Sequence, residues 1–212
     1  MTLDIDDVGA LGVTVGTSRR VTLRVAHQET YALGSPSAPV TLAGAITVGN
    51  AEALSGLVMH QLRAKGAPII SGFGMSTLDM RTSTCIYGCP EYRLALSACA
   101  DLYHYYGLPM WGTAGVSDAN CLDQQAGMEW GISIMVDAMH GANLVHDSGW
   151  LDHGSVASPA YMVLVHEVLH MVNQYMDGVP VSDETLAIDL IDKVGPGGHY
   201  LQESHTLENF RN

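Results

Sequence analysis

The sequence is short of charge, and of positive charge most of all. Only 15% of its 212 residues are charged, and nine basic residues stand against 22 acidic ones, for a formal net charge of −13. Nucleic acids and anionic membranes both demand a basic patch, so neither partner is expected. Cysteine is scarce: Cys85, Cys89, Cys99 and Cys121 contain no C-x-x-C pair. A disulfide scaffold or structural zinc site is therefore not expected, and all four thiols are read as reduced. No run of about 18 apolar residues suggests a spanning helix. The N-terminal MTLDIDDVGALG is acidic and lacks the charged-then-apolar pattern of a signal peptide, so a cytoplasmic protein is the expectation.

What the sequence does have is apolar residues, 47%, and 23 glycines. The glycines punctuate a repeat of helix, glycine, about five apolar residues, polar loop and helix. Val21–Ala26 alternates like a strand, and Val40–Gly44 resembles a strand end. Asn50 caps a helix expected to run to about Lys65, where Gly66 stops it. Strands are expected at Ala67–Ser71, Leu108–Thr113, Ala142–Asp147 and His199–Gln202. Helices are expected over Pro90–Tyr106, Leu122–His140, Pro159–Met176 and Asp183–Val194, with another beginning at Thr206. Alternating βα units imply a parallel sheet with outer helices, as in a doubly wound sheet or a (β/α)8 barrel. A complete barrel usually needs about 250 residues. The expectation is an α/β chain forming a portion of a (β/α)8 TIM barrel: one partial domain over residues 1–212, with residues 1–20 poorly defined.

No G-x-S-x-G, Walker loop or dinucleotide fingerprint is present. Gly72-Phe-Gly74 follows a strand but lacks the third glycine. The conspicuous match is His166-Glu167-Val168-Leu169-His170. This H-E-x-x-H would let two imidazoles hold zinc while Glu167 serves as base, so a zinc-dependent hydrolase is the alternative function. No third ligand follows at the metzincin spacing, and the motif sits mid-helix, on the outer layer of a βα repeat. Two histidines on a partly exposed helix face are the simpler explanation.

The strand ends carry more. Asp79 and Arg81, then Ser117, Asp118, Asp123 and Gln124, then His146 and Asp147, then Glu203 and His205 all lie where parallel strands of an α/β fold deliver functional groups. Trp111, Trp150, Tyr87 and Tyr92 lie near them in sequence. Carboxylates with aromatic faces suit an organic cation. The candidate catalytic residues are Asp118, Asp123, Gln124, His146 and Asp147. Those for substrate binding are Asp79, Arg81, Tyr92, Trp111, Glu203 and His205, and no bound metal is expected. Each also has a plain structural explanation: Asp118 and Asp123 as caps, Asp79 and Arg81 as a loop pair, His146 as a core residue.

Ordered motifs from about residue 30 onward carry a resemblance. They include Asn50-Ala-Glu52, Leu78-Asp-Met-Arg-Thr82, Gly88-Cys-Pro-Glu-Tyr92, Ser117-Asp-Ala119, Asp123-Gln-Gln-Ala-Gly-Met-Glu129, Gly141-Ala-Asn-Leu-Val-His-Asp147 and Val194-Gly-Pro-Gly-Gly-His199. The chain resembles the trimethylamine methyltransferase family of corrinoid-dependent methyltransferases, whose members are about twice as long and form a (β/α)8 barrel. The resemblance implies transfer of a methyl group from a methylated or quaternary amine to Co(I) of a corrinoid held on a separate cognate corrinoid protein. It implies that this protein binds no metal directly. No pyrrolysine stands in the sequence, which favours the branch acting on glycine betaine and related quaternary amines. A homo-oligomer is compatible with such a partial barrel.

Overall fold

The computed structural model describes residues 38–210 together with the backbone of residues 25–26 and 29–31. Most of the expected strand Val21–Ala26 lies outside the described residues. The elements in order are β1 (Val25–Ala26), β2 (Glu29–Tyr31), α1 (Leu42–Arg63), β3 (Ile70–Ser71), β4 (Gly74–Asp79), β5 (Thr84–Ile86), α2 (Pro90–Tyr106), β6 (Trp111–Thr113), α3 (Gln124–His140), β7 (Leu144–His146), β8 (Trp150–Leu151), β9 (Val156–Ala157), α4 (Pro159–Met176), α5 (Asp183–Leu186), α6 (Ile188–Val194) and α7 (Ser204–Asn209). Residues Met1–Met176 form one compact unit and Asp177–Asn212 a second.

In the first unit the fold is α/β and its parallel pairs run in chain order. β1 pairs with β3, β2 with β4, a parallel bridge joins Ser71 to Met110, and β6 pairs with β7. A doubly wound sheet reverses its strand order at a switch point. Here each new strand adds beside the one before it, with α1, α2 and α3 as the crossovers. That winding is compatible with part of a barrel, although no closed barrel forms among the described residues. From Met110 to Ser117 every residue is buried, as expected of a parallel strand covered on both faces.

Helix ends follow the local chemistry. Pro90 occupies the first turn of α2, and Gly107 closes it at φ 65°. The Leu108 N–H then returns to the Tyr103 carbonyl (3.0 Å), a Schellman-type stop. Asp123 caps α3 by accepting the Ala126 N–H (3.1 Å), and Gly141 ends that helix at φ 74°. Two clusters form the core. Phe73, Met75, Ala95, Cys99, Tyr103 and Met110 lie between α1, α2 and the strands, while Trp130, Ile134, Leu151, Val165 and Val172 lie between α3 and α4.

Three expectations are corrected. The helix expected from Asn50 begins at Leu42, so Val40–Gly44 is no strand end. Gly49 lies against Phe73, where a Cβ would come within 2.7 Å of the ring. The missing side chain lets the helix approach the core closely. By length and composition α1 is apolar enough to span a membrane, but it buries Ala45, Gly49 and Ala53. Its Asn50 side chain donates to Tyr106 Oη (2.9 Å) on α2.

In the second unit, His199–Gln202 forms no strand: His199 and Tyr200 are irregular, and Leu201 and Gln202 form a turn. A strand needs a partner edge, and this segment has none among the described residues. The expected helix Asp183–Val194 is divided at Ala187, which adopts φ 48°. Ser182 and Thr185 form a reciprocal capping box ahead of that break.

Candidate active site

Beyond the strand ends lies an open cleft of about 550 Å³, lined by Asp79, Thr82, Thr84, Ile86, Gly88, Cys89, Asp118, Gln125, Glu129, Asp152 and His153. Five separate segments supply it: the β4–β5 hairpin, the entrance to α2, the loop after β6, the first turns of α3 and the β8–β9 turn. Four of these residues are carboxylates, and none is Lys or Arg.

Asp118 is the centre of the arrangement. Its carboxylate accepts the backbone N–H groups of Tyr87 (2.9 Å) and Gly88 (2.7 Å), and His153 Nδ1 stands 3.0 Å from Oδ1. Glu129, one helix in, fixes the segment that carries Asp118. It accepts the Ser117 hydroxyl (2.5 Å) and the Asp118 N–H (2.8 Å), and Gln125 Nε2 donates to its other oxygen (2.8 Å). A Cβ on Gly88 would collide with the Glu129 carboxylate, so glycine is required for Tyr87 and Gly88 to approach.

His153 reaches Asp118 because the loops after β6 and β7 run side by side. The Gly149 N–H donates to the Gly115 carbonyl (2.8 Å) and the Ser117 N–H to the Trp150 carbonyl (2.9 Å). Asp152, His153 and Gly154 then take φ values of 52°, 54° and 79°. Non-glycine residues adopt this left-handed region at a cost of order 1–3 kcal/mol each, so surrounding contacts must hold it. Asp152 is held by the Ser155 hydroxyl (2.7 Å), by the Asn120 amide, and by its own N–H to the Ala119 carbonyl (2.9 Å).

Behind the cleft, Arg93 is buried. It donates to the carbonyls of Thr113 and Tyr87 (3.0 Å for the latter), and its guanidinium lies 4.7 Å from the Tyr92 ring centre. Burial pushes the Tyr92 hydroxyl well above its ordinary range and pulls Arg93 below its own. Cys89 lines the cleft, but burial raises its thiol, which disfavours the reactive thiolate.

Asp137 is 3% exposed and its Oδ2 lacks a hydrogen-bond partner among the described residues. Burial raises its pKa from 3.8 to about 6, against the opposing charges of Arg93 and His146. The folded state thus holds this proton more tightly than the unfolded chain. The group's contribution to stability is complete below pH 3.8 and is lost as pH rises through about 6. The loss is of the order of 3 kcal/mol. In urea unfolding between pH 4 and 8, Asp137→Asn is expected to remove that part of the slope. Its stability relative to the parent should rise with pH and level off above pH 7; a difference independent of pH would refute the assignment.

The structure gathers only part of the residue set expected from sequence. Asp118 and Asp79 line the cleft. Asp79 also caps its own turn, accepting the Arg81 N–H (2.8 Å) and the Thr82 hydroxyl (3.0 Å), and those bonds lower its pKa. Arg81 is exposed in that turn. Asp123 is the α3 cap, and exposed Gln124 starts the helix without lining the cleft. His146 pairs with Asp147 (2.9 Å), and its ring lies 5.1 Å from that of Trp111. Trp111 and Tyr92 are buried beneath the surface, so their ring faces are spent on the protein interior. In the second unit Glu203 pairs with Lys193 (2.6 Å), and His205 Nε2 lies 3.3 Å from the Glu184 carbonyl.

Glu129, Gln125, Asp152 and His153 are absent from the expected set. The i, i+4 spacing of Gln125 and Glu129 just inside a helix was a usable signal. No local pattern announces His153.

A profile of the trimethylamine methyltransferase family matches residues 8–212. Trimethylamine methyltransferase MttB of Methanosarcina thermophila is 39% identical over 177 residues, which is 84% of this chain and 37% of that protein. MttB of Desulfitobacterium hafniense is 36% identical over 178 residues, with 84% and 36% covered. A glycine betaine methyltransferase of Desulfitobacterium hafniense is 34% identical over 180 residues, with 84% and 38% covered. The chain spans little more than a third of the length of these relatives. With the family profile matching nearly its whole length, the chain belongs to the trimethylamine methyltransferase family.

Proposed function

We propose that this chain is the amine-binding part of a methyltransferase, and that its consecutive parallel strands are an arc of a (β/α)8 barrel. The observation that carries this is the acidic cleft at the strand ends. Asp79, Asp118, Glu129 and Asp152 meet there without a basic residue among the lining groups. A methylated ammonium offers diffuse positive charge on an apolar shell, so electrostatic attraction is the main handle a protein has on it. The volume is in the range of small-molecule sites. Relatives named for trimethylamine and for glycine betaine fit the same chemistry.

In the proposed reaction the C–N bond breaks with both electrons passing to nitrogen. The methyl group bonds to the nucleophile, and a neutral amine leaves. A quaternary nitrogen needs no proton for this. The acceptor is Co(I) of a corrinoid, which enters as co-substrate on its own carrier protein. The cleft's oxygen-rich lining suits the cation and makes no cradle for a corrin ring. Asp118 holds the ammonium, and Glu129 and Ser117 keep Asp118 in place, so the substrate is oriented at the strand ends.

The test titrates the full chain by calorimetry with trimethylamine hydrochloride, with glycine betaine and with 3,3-dimethylbutanol, a neutral molecule whose tert-butyl head matches the trimethylammonium group in shape. Binding of an ammonium ligand at least tenfold tighter than the neutral one is expected. Equal binding, or none, would defeat the cation reading. Conversion of chemically reduced cobalamin to its methylated form, followed spectroscopically, tests transfer separately.

A further inference from the structure

Away from the cleft, exposed residues of α4 bring two imidazoles to one point. His166 and His170 stand one turn apart, with Nε2 atoms 3.0 Å from each other and ring centres 4.4 Å apart. Each ring's only polar contact among the described residues is the other ring. Helical spacing places both on one face, but spacing alone does not aim the same nitrogen of each ring at the other.

We propose that His166 and His170 form a two-ligand site for a borderline divalent metal ion, with Cu(II) preferred. Imidazole nitrogens bind such ions at roughly 2.0–2.1 Å, so two nitrogens at the observed separation subtend about 94° at the metal. That suits two adjacent positions on one such ion. Cu(II) stands highest in the affinity order for nitrogen donors. In the metal-free chain one Nε2 carries the hydrogen shared across this contact; on metal binding that ring takes its hydrogen on Nδ1, so that both Nε2 lone pairs face the ion.

No third His, Cys, Asp or Glu joins the pair among the described residues. Glu167 follows His166 by about 100° around the helix and points elsewhere. The remaining positions on the metal are left for water or for a donor from another molecule. This is a binding site, independent of the methyltransferase reading, and it assigns no hydrolytic role to the motif.

The experiment uses the full chain, stripped with EDTA and titrated with Cu(II) sulfate or zinc sulfate. Calorimetry is expected to show one tight equivalent of Cu(II), and zinc binding at least tenfold weaker. Electron paramagnetic resonance should give a tetragonal signal with coupling to two nitrogens. His166→Ala and His170→Ala should each weaken Cu(II) binding at least tenfold. Because both side chains are exposed, the metal-free variants should keep the parent's circular dichroism and melting temperature. The proposal is overturned by the absence of a saturable equivalent, by zinc binding as tightly as copper, or by Cu(II) binding that persists in the double variant. The last outcome would place copper on others of the chain's ten histidines.

Discussion

Replacing Arg93 with alanine is expected to cost about 2–5 kcal/mol of folding stability, measured as a lower urea midpoint without a change in slope. Arg93 is 5% exposed and holds together parts of the chain distant in sequence. It starts in α2, donates to the end of β6 at Thr113 and to Tyr87, and covers the Tyr92 ring. Alanine would leave two carbonyls short of a donor and open a cavity over an aromatic face. It would also remove a positive charge that favours ionised Asp137. Arg93→Lys preserves the charge but loses the planar fork that reaches two carbonyls at once, so it should recover less than half of the loss. An alanine variant within 1 kcal/mol of the parent would show that Arg93 is not the tie inferred from its contacts.

The second large effect concerns ligand binding. Asp118→Asn should weaken binding of an ammonium ligand by at least tenfold. The carboxylate holds two backbone N–H groups and faces His153. An amide in its place has one acceptor oxygen, so its NH₂ would meet a donor. One N–H would lose its partner, at a cost of about 1–3 kcal/mol, besides the lost ligand attraction. The proposed reaction gives the effect a direction. Positive charge on nitrogen declines as the methyl group departs, so a nearby carboxylate holds the substrate more firmly than the transition state. The change should therefore appear mainly in KM or Kd, with kcat altered much less. An equal fall in kcat and kcat/KM would place Asp118 in the chemical step, and unchanged binding would remove it from the site.

Much of the fold was legible because its signals are local. Gly107 and Gly141 stop their helices in the left-handed conformation, and Pro90 and Asp123 start theirs. The repeat of buried segment, polar loop and helix predicts parallel pairing, which the β6–β7 register shows. The errors also have local causes. Val40–Gly44 resembles a strand end because a short apolar run closed by glycine shows no helical period, yet α1 runs on from Leu42, and at Gly49 the missing side chain admits Phe73. The apolar His199–Gln202 segment resembles a strand, but a short run cannot say whether a partner edge exists.

The candidate site was legible only in part. Asp118 and Asp79 were expected near strand ends from their position, and both line the cleft. Tyr92 and Trp111 are equally near in sequence but face inward, because the direction of a side chain at a strand or helix end depends on what packs beneath it. Asp152 and His153 enter through three consecutive left-handed residues. Of these, Gly154 hints most strongly at the conformation, while Asp and His favour it only weakly.

The sequence by itself determined the acidic character of the protein, its βα repeat, most helix ends and its family. These are set by composition, or by residues within a turn or two of each other. Tertiary structure decided which strands are neighbours and which carboxylates share a cleft, and it placed His153 on Asp118 and Arg93 under Tyr87. Those contacts join residues from 6 to 35 positions apart, and each depends on the packing of whole elements, which no local propensity encodes.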